Sequence, residues 1–263
     1  MFQLKKFVLP LTLVMLIHFS KAQDFGAYKK ELFTRAGDTL RYRILYPENY
    51  QQQKSYPLVV FLHGAGERGD DNEHQLDLGA SLFLKDPVRK QFPSIVIFPQ
   101  CPFDRTWNRF TAPHDTTAVY NRSLDTSAPT TPERLVKELM DSLVKTKIAD
   151  QKRIYIGGLS LGAFGTYDLI IHYPNYFAAA FTICGQTNVE LFAKKAANVP
   201  LWIFHGDADN VIPVQPDRDL YKALQKTGAG KVKYSEYPGV YHNSWLNAFA
   251  KPGLLKWLFS FKK

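Results

Sequence analysis

Short runs of apolar residues recur along this chain and alternate with segments of helical periodicity. The runs lack the strict alternation that marks a strand with one face in water. They occupy residues 58–62, 95–98, 154–156, 178–183, 201–204 and 232–237. Because strands with two apolar faces are typical of a parallel sheet covered by helices on both sides, we predict such a sheet.

Two segments of alternating polarity precede the first of these runs. Residues 28–35 and 39–46 are joined at Ala36-Gly37-Asp38, which predicts an antiparallel hairpin. A hairpin followed by repeated strand–helix units predicts the α/β class, with a doubly wound, mostly parallel sheet and an N-terminal antiparallel hairpin.

Two of the intervening segments carry clear helical signals. Residues 133–147 place leucines at helical spacing, and we predict Thr131 as the N-cap with Pro132 in the first turn. Residues 217–227 carry an apolar stripe that stops at Gly228. Both helices would cover a face of the predicted sheet.

The stretch at residues 102–130 is long, polar and without periodicity. Long irregular segments inside compact domains are uncommon and often functional, so we predict a flap on the substrate side. Trp107 lies in this stretch, and two roles are open for it. It lines a substrate pocket, or it pins the segment to the body of the domain.

Residues 1–22 have the features of a secretory signal peptide. Lys5 and Lys6 precede an apolar segment at residues 7–19, and small residues precede a cleavage position after Ala22. A membrane anchor is the alternative, but the apolar segment is shorter than the roughly 20 residues of a membrane-spanning helix. We therefore predict a secreted or periplasmic protein without stable membrane insertion, with a single α/β domain at residues 23–263.

Composition narrows the range of partners and cofactors. The net charge of +9 includes three lysines of the predicted signal peptide, and the other basic residues are scattered, so we predict no nucleic-acid binding. The sequence has neither a zinc-protease motif nor a Cys/His cluster with ligand spacing, so we predict no metal and no other cofactor. Cys101 and Cys184 each follow a predicted strand, and because these strands are not neighbours we expect two free thiols.

The pentapeptide Gly158-Leu159-Ser160-Leu161-Gly162 has the G-x-S-x-G pattern of a nucleophile elbow. A predicted strand at residues 154–156 precedes it, and a helical segment at residues 163–171 follows it. In such a turn the serine hydroxyl is exposed beside backbone N–H groups, and the glycines avoid clashes. The alternative is an ordinary glycine-rich turn, but the order of the motifs that follow favours a nucleophile.

A nucleophilic serine needs a base, and the base needs an orienting carboxylate. His242 follows the last predicted strand and is the predicted base. Asp209 follows the strand before it and is the predicted acid, with Asp207 as its rival. Both loops leave the edge of the sheet that carries Ser160, in the chain order Ser, Asp, His. The rival histidines all precede Asp209: His63, His74, His114, His172 and His205.

A further motif at residues 62–69 follows the predicted strand at residues 58–62. Its sequence, LHGAGERG, matches the H-G-x-G type of loop that donates a backbone N–H to an oxyanion hole. We predict the amides of Ala65 and Leu161 as the two donors, which would stabilise the charge of a tetrahedral intermediate.

Taken together, these motifs resemble the secreted α/β-hydrolase esterases. The resemblance is greatest to the branch of predicted peptidases and phospholipase/carboxylesterases, which is related to polyhydroxybutyrate depolymerases and feruloyl esterases. It covers nearly all of the chain after the signal peptide. It rests on residues 63–72, 99–102, 158–162, 242–245 and 252–258, with Trp107 and Asp209. Ala163 departs from the pattern, since many relatives have a second glycine there.

The resemblance implies a serine carboxylic-ester hydrolase that works through an acyl-enzyme and needs no cofactor. The site residues it implies are Ser160, Asp209 and His242 as the triad, with Ala65 and Leu161 as oxyanion donors. Separately, we predict Gln100 and Trp107 as substrate contacts. Export and an aromatic-rich, basic chain suggest carbohydrate-linked acyl esters as substrates. A serine peptidase of the same fold and a non-catalytic binding module are the alternatives. A prolyl peptidase usually carries a gating domain, and a binding module has no need of all three triad residues.

Overall fold

The computed structural model describes residues 24–111, 123–228 and 231–263, so the predicted signal peptide lies outside it. The strands are β1 (Lys29–Arg35), β2 (Asp38–Leu45), β3 (Tyr56–Leu62), β4 (Ile95–Gln100), β5 (Arg109–Thr111), β6 (Ser123–Asp125), β7 (Ala149–Leu159), β8 (Ala179–Ile183), β9 (Leu201–Gly206) and β10 (Val232–Tyr237). The helices are α1 (Ala80–Leu84), α2 (Asp86–Gln91), α3 (Thr131–Lys145), α4 (Leu161–His172), α5 (Val189–Ala196), α6 (Gln215–Lys226), α7 (Trp245–Ala250) and α8 (Leu254–Leu258).

One sheet contains all the strands except β5 and β6, in the order β1-β2-β4-β3-β7-β8-β9-β10. The pairs β1–β2 and β2–β4 are antiparallel, and every later pair along the sheet is parallel. The predicted fold class is therefore confirmed, because a mostly parallel sheet carries an antiparallel hairpin at its N-terminal edge.

The parallel strands are buried on both faces, as their continuous apolar runs predict. Every residue of β3 is buried. Leu58 and Val60 belong to a core that includes side chains of α3, α4, α5 and α6. Val59 and Phe61 belong to a second core that includes side chains of α1, α7 and α8. Helices thus cover the sheet on both sides, and the loops at the carboxyl ends of the strands are left to form a site.

The hairpin turn is one residue shorter than the sequence pattern suggests. Asp38 pairs with Arg35 and is the first residue of β2, so the connection contains only Ala36 and Gly37. Both have positive φ angles, 51° and 86°. Two consecutive residues of positive φ match the twist of an antiparallel pair and make a tight two-residue turn.

The N-cap of α3 is Thr130, and the predicted cap, Thr131, is wrong by one residue. The Thr130 side chain accepts a hydrogen bond from the backbone N of Glu133, and the Glu133 carboxylate accepts one from the backbone N of Thr130 at 2.9 Å. This reciprocal capping box needs a spacing of three residues, which Thr130 satisfies and Thr131 does not. Proline lies in the first turn, as predicted.

Both cysteines are free and buried, which confirms the expected thiols. Cys101 follows β4 and Cys184 follows β8, and β3 and β7 lie between those strands in the sheet. Part of the predicted flap lies outside the described residues; β5 and β6 form an antiparallel pair within the rest. Among the described helices, none combines the length and the apolar character that crossing a membrane requires.

Candidate active site

Ser160 lies at a sharp turn between β7 and α4 and has an unusual backbone conformation. Its φ is 51° and its ψ is −120°, a strained combination for a residue with a side chain. The turn brings the backbone of α4 close to both β7 and the end of β3. A Cβ atom on Gly158 would collide with the carbonyl of Gly162, and one on Gly162 would collide with the carbonyl of Leu62. The two glycines of the motif are therefore required by close packing of the backbone.

His242 connects Ser160 to Asp209. Its Nε2 lies 3.0 Å from Ser160 Oγ, and its Nδ1 lies 2.8 Å from Asp209 Oδ2. The ring of Trp245 packs edge-on against the imidazole, with 5.6 Å between ring centroids. Nδ1–H donates to the carboxylate, which leaves the Nε2 lone pair directed at the serine hydroxyl. This arrangement can accept the hydroxyl proton when Ser160 attacks an electrophile.

The loops that carry Asp209 and His242 are fastened to each other by their backbones. The N of Ala208 donates to the carbonyl of Val240 at 3.1 Å, and a Cβ on Gly206 would collide with that same carbonyl. These contacts fix the loop after β9 against the loop after β10. They hold the acid and the base in register without relying on their own hydrogen bond.

Asp207, the rival acid, has a different contact. Its Oδ1 accepts a hydrogen bond of 2.6 Å from the backbone N of Gly239. Asp207 therefore supports the turn that precedes His242, whereas Asp209 contacts the ring itself.

The carboxylate of Asp209 is buried and satisfied by several donors. Its Oδ1 accepts the backbone amides of Val211 and Ile212 at 2.8 and 2.9 Å. Burial raises its pKa, but hydrogen bonds from His205, His242 and these amides outweigh burial and hold the pKa well below its usual range. Asp209 therefore stays ionised, which is the state that orients His242.

The predicted oxyanion loop packs directly on the nucleophile turn. A Cβ on Gly64 would lie 3.7 Å from Ser160 Cβ, so the loop backbone approaches Ser160 closely. Ala65, the next residue, is exposed, and Leu161 is the first residue of α4. One predicted donor thus follows the residue that contacts Ser160, and the other is the first residue of the helix after it.

His63 anchors this loop and is not a base. Its Nδ1 lies 2.7 Å from the carbonyl of Gly64, and its Nε2 accepts the N–H of Cys101 at 2.9 Å. Burial lowers its pKa to about 4, so the ring is neutral. Among the other rival histidines, His74 pairs with Asp71 and His172 lies near Asp168, while His114 lies outside the described residues.

Trp107 and Gln100 lie beneath the oxyanion loop. Trp107 is fully buried, and its Nε1 donates to the carbonyl of His63 at 3.0 Å. Gln100 is also buried; its Oε1 accepts the N–H of Asn72 at 2.8 Å, and its Nε2 donates to Asp71 at 2.7 Å. These positions favour a supporting role over the predicted contact with substrate. For Trp107, they agree with the role of pinning the segment at residues 102–130 to the body of the domain.

Two exposed aromatic side chains lie beside the site, and the sequence analysis did not select them. Phe103 is 76% exposed and stacks on Arg68, whose Nε donates to the carbonyl of Ala65 at 3.0 Å. Tyr241 is 60% exposed and directly precedes His242. Large apolar side chains at the surface often mark contact sites, and these two adjoin the predicted oxyanion loop and His242.

His205 and Asp217 form a second buried pair behind the site. His205 Nδ1 lies 2.7 Å from Asp217 Oδ2, and both side chains are fully buried. From the sequence, His205 is only a rival base, and Asp217 is not among the predicted site residues. One signal was available: Asp217 occupies the apolar stripe of α6, in helical spacing with Leu220 and Leu224. An acid on the buried face of a helix usually has a buried partner.

Cys184, Asp209 and His242 bring three potential metal-ligand atoms within 4.8 Å of one another. Both ring nitrogens of His242 already have hydrogen-bond partners, and burial raises the pKa of the Cys184 thiol. Metal ligation requires a free imidazole lone pair and a thiolate. The cluster is therefore better suited to proton transfer than to holding an ion.

Known proteins share this fold and sequence pattern. A crystal structure of a thermostable esterase is 34% identical, with a TM-score of 0.80, over 90% of this chain and 64% of its own. A ferulic acid esterase from the anaerobic fungus Anaeromyces mucronatus shares the fold at 16% identity and a TM-score of 0.62, over 90% of this chain and 92% of its own. A bifunctional acetylxylan esterase/xylanase from Neocallimastix patriciarum is 34% identical over 80 residues, which is 30% of this chain and only 12% of that relative.

A family model covers most of the described chain. The model for phospholipases and carboxylesterases matches residues 49–251, a range that runs from the start of the parallel sheet past Ser160, Asp209 and His242. The chain belongs to the phospholipase/carboxylesterase family and has its α/β-hydrolase fold.

Proposed function

We propose that the chain is a serine hydrolase that cleaves carboxylic esters through an acyl-enzyme, with Ser160 as nucleophile, His242 as general base and Asp209 as orienting acid. One observation carries the proposal: an unbroken hydrogen-bond path runs from Asp209 Oδ2 through both ring nitrogens of His242 to Ser160 Oγ. Membership of the carboxylesterase family supports the same chemistry.

In the first half of the reaction, His242 Nε2 takes the proton of the Ser160 hydroxyl as Oγ attacks the ester carbonyl. The carbonyl oxygen becomes an oxyanion, and the amides of Ala65 and Leu161 stabilise it. The imidazolium then gives its proton to the departing alkoxide as the C–O bond breaks, which leaves an acyl-enzyme. Water repeats these steps in the second half and releases the acid.

For the substrate, we propose carbohydrate-linked acyl esters. The named relatives act on acetylxylan and ferulic acid esters, which supports this class. Phe103 and Tyr241 would provide exposed apolar contacts for the acyl or alcohol group.

A panel of substrates tests the activity. Nitrophenyl esters, acetylated and feruloylated sugars and aminoacyl anilides are compared with wild type, Ser160→Ala and, as a matched control, the exposed Ser260→Ala. Ester hydrolysis by wild type and Ser260→Ala, together with loss of hydrolysis and of fluorophosphonate labelling in Ser160→Ala, is expected. Faster cleavage of anilides than of esters would make the protein a peptidase. An absence of turnover and labelling in wild type would make it a binding module.

We also propose export with cleavage after Ala22. The basic start and the apolar segment at residues 7–19 support this. Mass spectrometry of the exported protein should find Gln23 as the first residue. Retention of Met1 in the exported chain would contradict the proposal.

A further inference from the structure

His205 lies at the end of β9 with its ring between two carboxylates. Its Nδ1 lies 2.7 Å from Asp217 Oδ2. Its Nε2 lies 3.0 Å from the carbonyl of Ile212 and 3.3 Å from Asp209 Oδ2. The side chains of His205, Asp209 and Asp217 are all 0% exposed, so water does not weaken these contacts.

The partners of His205 fix its charge. Each ring nitrogen faces oxygen atoms that accept hydrogen bonds, and a neutral imidazole has only one N–H to give. With both carboxylates ionised, the two contacts are satisfied together only by the imidazolium. Burial opposes this charge, but hydrogen bonds to Asp209 and Asp217 outweigh burial and raise the pKa of His205 to about 10.

Asp217 is held in place by donors from two other elements. Tyr167 on α4 donates from its hydroxyl to Asp217 Oδ1 at 2.7 Å. Thr182 on β8 in turn donates to the hydroxyl of Tyr167 at 2.8 Å. Every hydrogen bond in this path points toward Asp217, which makes its carboxylate an acceptor at both oxygens. The position of His205 is thereby set by α4, α6 and β8 together.

The remaining charged neighbours of His205 lie on β10 and at the start of α6. Glu236 is the register partner of His205 on β10. Its carboxylate accepts hydrogen bonds from Arg218 at 2.8 and 2.7 Å and from the hydroxyl of Tyr234. The hydrogen bond to Arg218 helps lower the pKa of Glu236 to about 2, so this charge stays neutralised by Arg218 as pH changes. Asp209 and Asp217 are thus the carboxylates in direct contact with the His205 ring.

Asp209 Oδ2 is shared by two imidazole rings. Nδ1 of His242 lies 2.8 Å from it, and Nε2 of His205 lies 3.3 Å from it on the other side. A fixed positive charge at that distance aligns the Asp209 carboxylate. It also weakens the electrostatic attraction between this carboxylate and the protonated form of His242.

We infer that His205 is a positioning residue of the reaction, a permanent imidazolium that, clamped by Asp217, holds Asp209 ionised and oriented on His242. The inference rests on the proposed function, since it assigns His205 a part in that hydrolysis. The cluster then contains two buried carboxylates, Asp209 and Asp217, and one buried cation, His205, which contacts both.

Steady-state kinetics measured across a range of pH tests whether the charge on His205 supports the reaction. For His205→Gln we expect kcat to fall about 10- to 100-fold with KM little changed, because an outer hydrogen-bond partner of a catalytic group orients it without touching substrate. We expect the acidic limb of the kcat/KM profile, set by protonation of the base, to move up by about one pH unit, because a nearby cation is lost. The control His172→Gln removes a partly buried His that lies near a different acid, and it should match wild type.

The double variant His205→Gln/Asp217→Asn separates charge from packing. It restores the net charge of the cluster, and an amide pair can still link Tyr167 to Asp209 by hydrogen bonds, with the bond between positions 205 and 217 running in the opposite direction. We expect it to be about tenfold more active than His205→Gln alone, since coupled sites are not additive. Additive damage in the double variant, or a wild-type pH profile for His205→Gln, would overturn the inference.

A measurement on the unmodified protein keeps the inference testable if the variants do not fold. In nitrogen-15 spectra of the labelled histidines, the His205 ring should stay doubly protonated at about pH 8.5, above the ordinary histidine range. A neutral tautomer there would overturn the inference. Ester hydrolysis by wild type and its loss in Ser160→Ala are recorded in parallel. If these fail, the proposed function is wrong; if they hold and His205 is neutral, only the inference is wrong.

Discussion

Asp209 and His242 are joined by a hydrogen bond of 2.8 Å between loops that follow neighbouring parallel strands. The acid two residues earlier, Asp207, instead holds the backbone of Gly239. Both carboxylates contact the same loop, but of the two only Asp209 contacts the imidazole.

This difference predicts unequal effects of two matched substitutions. Asp209→Asn should lower kcat by about 10³- to 10⁴-fold, because an amide neither fixes the tautomer of His242 nor stabilises its cation. Asp207→Asn keeps an oxygen for the N–H of Gly239 and should lower kcat by less than about tenfold. The measurement is kcat on one ester for both variants. A larger loss in Asp207→Asn would transfer the role of the acid to Asp207.

If Trp107 pins its loop to the body of the domain, replacing it should lower the stability of the fold. Trp107→Ala leaves a cavity beneath the oxyanion loop and breaks the bond to the carbonyl of His63, so we expect a loss of about 3–5 kcal/mol in the free energy of unfolding. The activity toward different esters should fall in parallel. Denaturant unfolding and a substrate panel check this. A changed substrate ranking with an unchanged melting temperature would return Trp107 to the substrate pocket.

The sheet and the nucleophile turn were predictable because each depends on local pattern. Runs with two apolar faces specify β3, β7 and β9, and the glycines around Ser160 are dictated by backbone contacts of the turn itself. The capping box shows a local rule that was available but not applied, since Thr130 and not Thr131 has Glu133 three residues later.

The buried partners behind the site were harder to find from sequence. The environment of His205 is created by Asp217 on α6 and by Asp209 in the loop, and no spacing rule predicts that their carboxylates meet at one ring. Trp107 gave a similar ambiguity, because an aromatic residue in a loop looks the same whether it faces substrate or the interior. Tertiary packing decides such cases, and sequence patterns do not encode it directly.

Phe103 and Tyr241 are expected to affect substrate choice without affecting stability. Each is largely exposed, so truncation removes little buried surface from the fold. Phe103→Ala and Tyr241→Ala should raise KM for aromatic esters by about tenfold, with melting temperatures near wild type. The control is Leu32→Ala, which is 63% exposed on β1. Equal KM values in all three variants would remove both aromatics from the substrate surface.

The two thiols should be unreactive in the native protein. Cys101 and Cys184 are buried, and burial raises the pKa of Cys101 to about 12 and that of Cys184 further. Because the thiolate is the reactive form, alkylation of the folded protein should be slow. Denaturation without reductant should give two labels per chain by mass spectrometry. A chain that takes up no label under those conditions would contain a disulfide and contradict the strand order.

The raised pKa of His205 also predicts a pH dependence of stability. A group whose pKa rises from 6.5 to about 10 on folding stabilises the folded state fully below pH 6.5, and this contribution is lost as pH rises through about 10. His205→Gln/Asp217→Asn lacks the group, so its stability relative to wild type should improve steadily across that window. The slope of the difference can reach about 1.4 kcal/mol per pH unit for one proton. Denaturant unfolding at several pH values measures it, with His172→Gln expected to follow wild type. Parallel stability curves for wild type and the double variant would mean that His205 carries the same charge in the folded and unfolded chain.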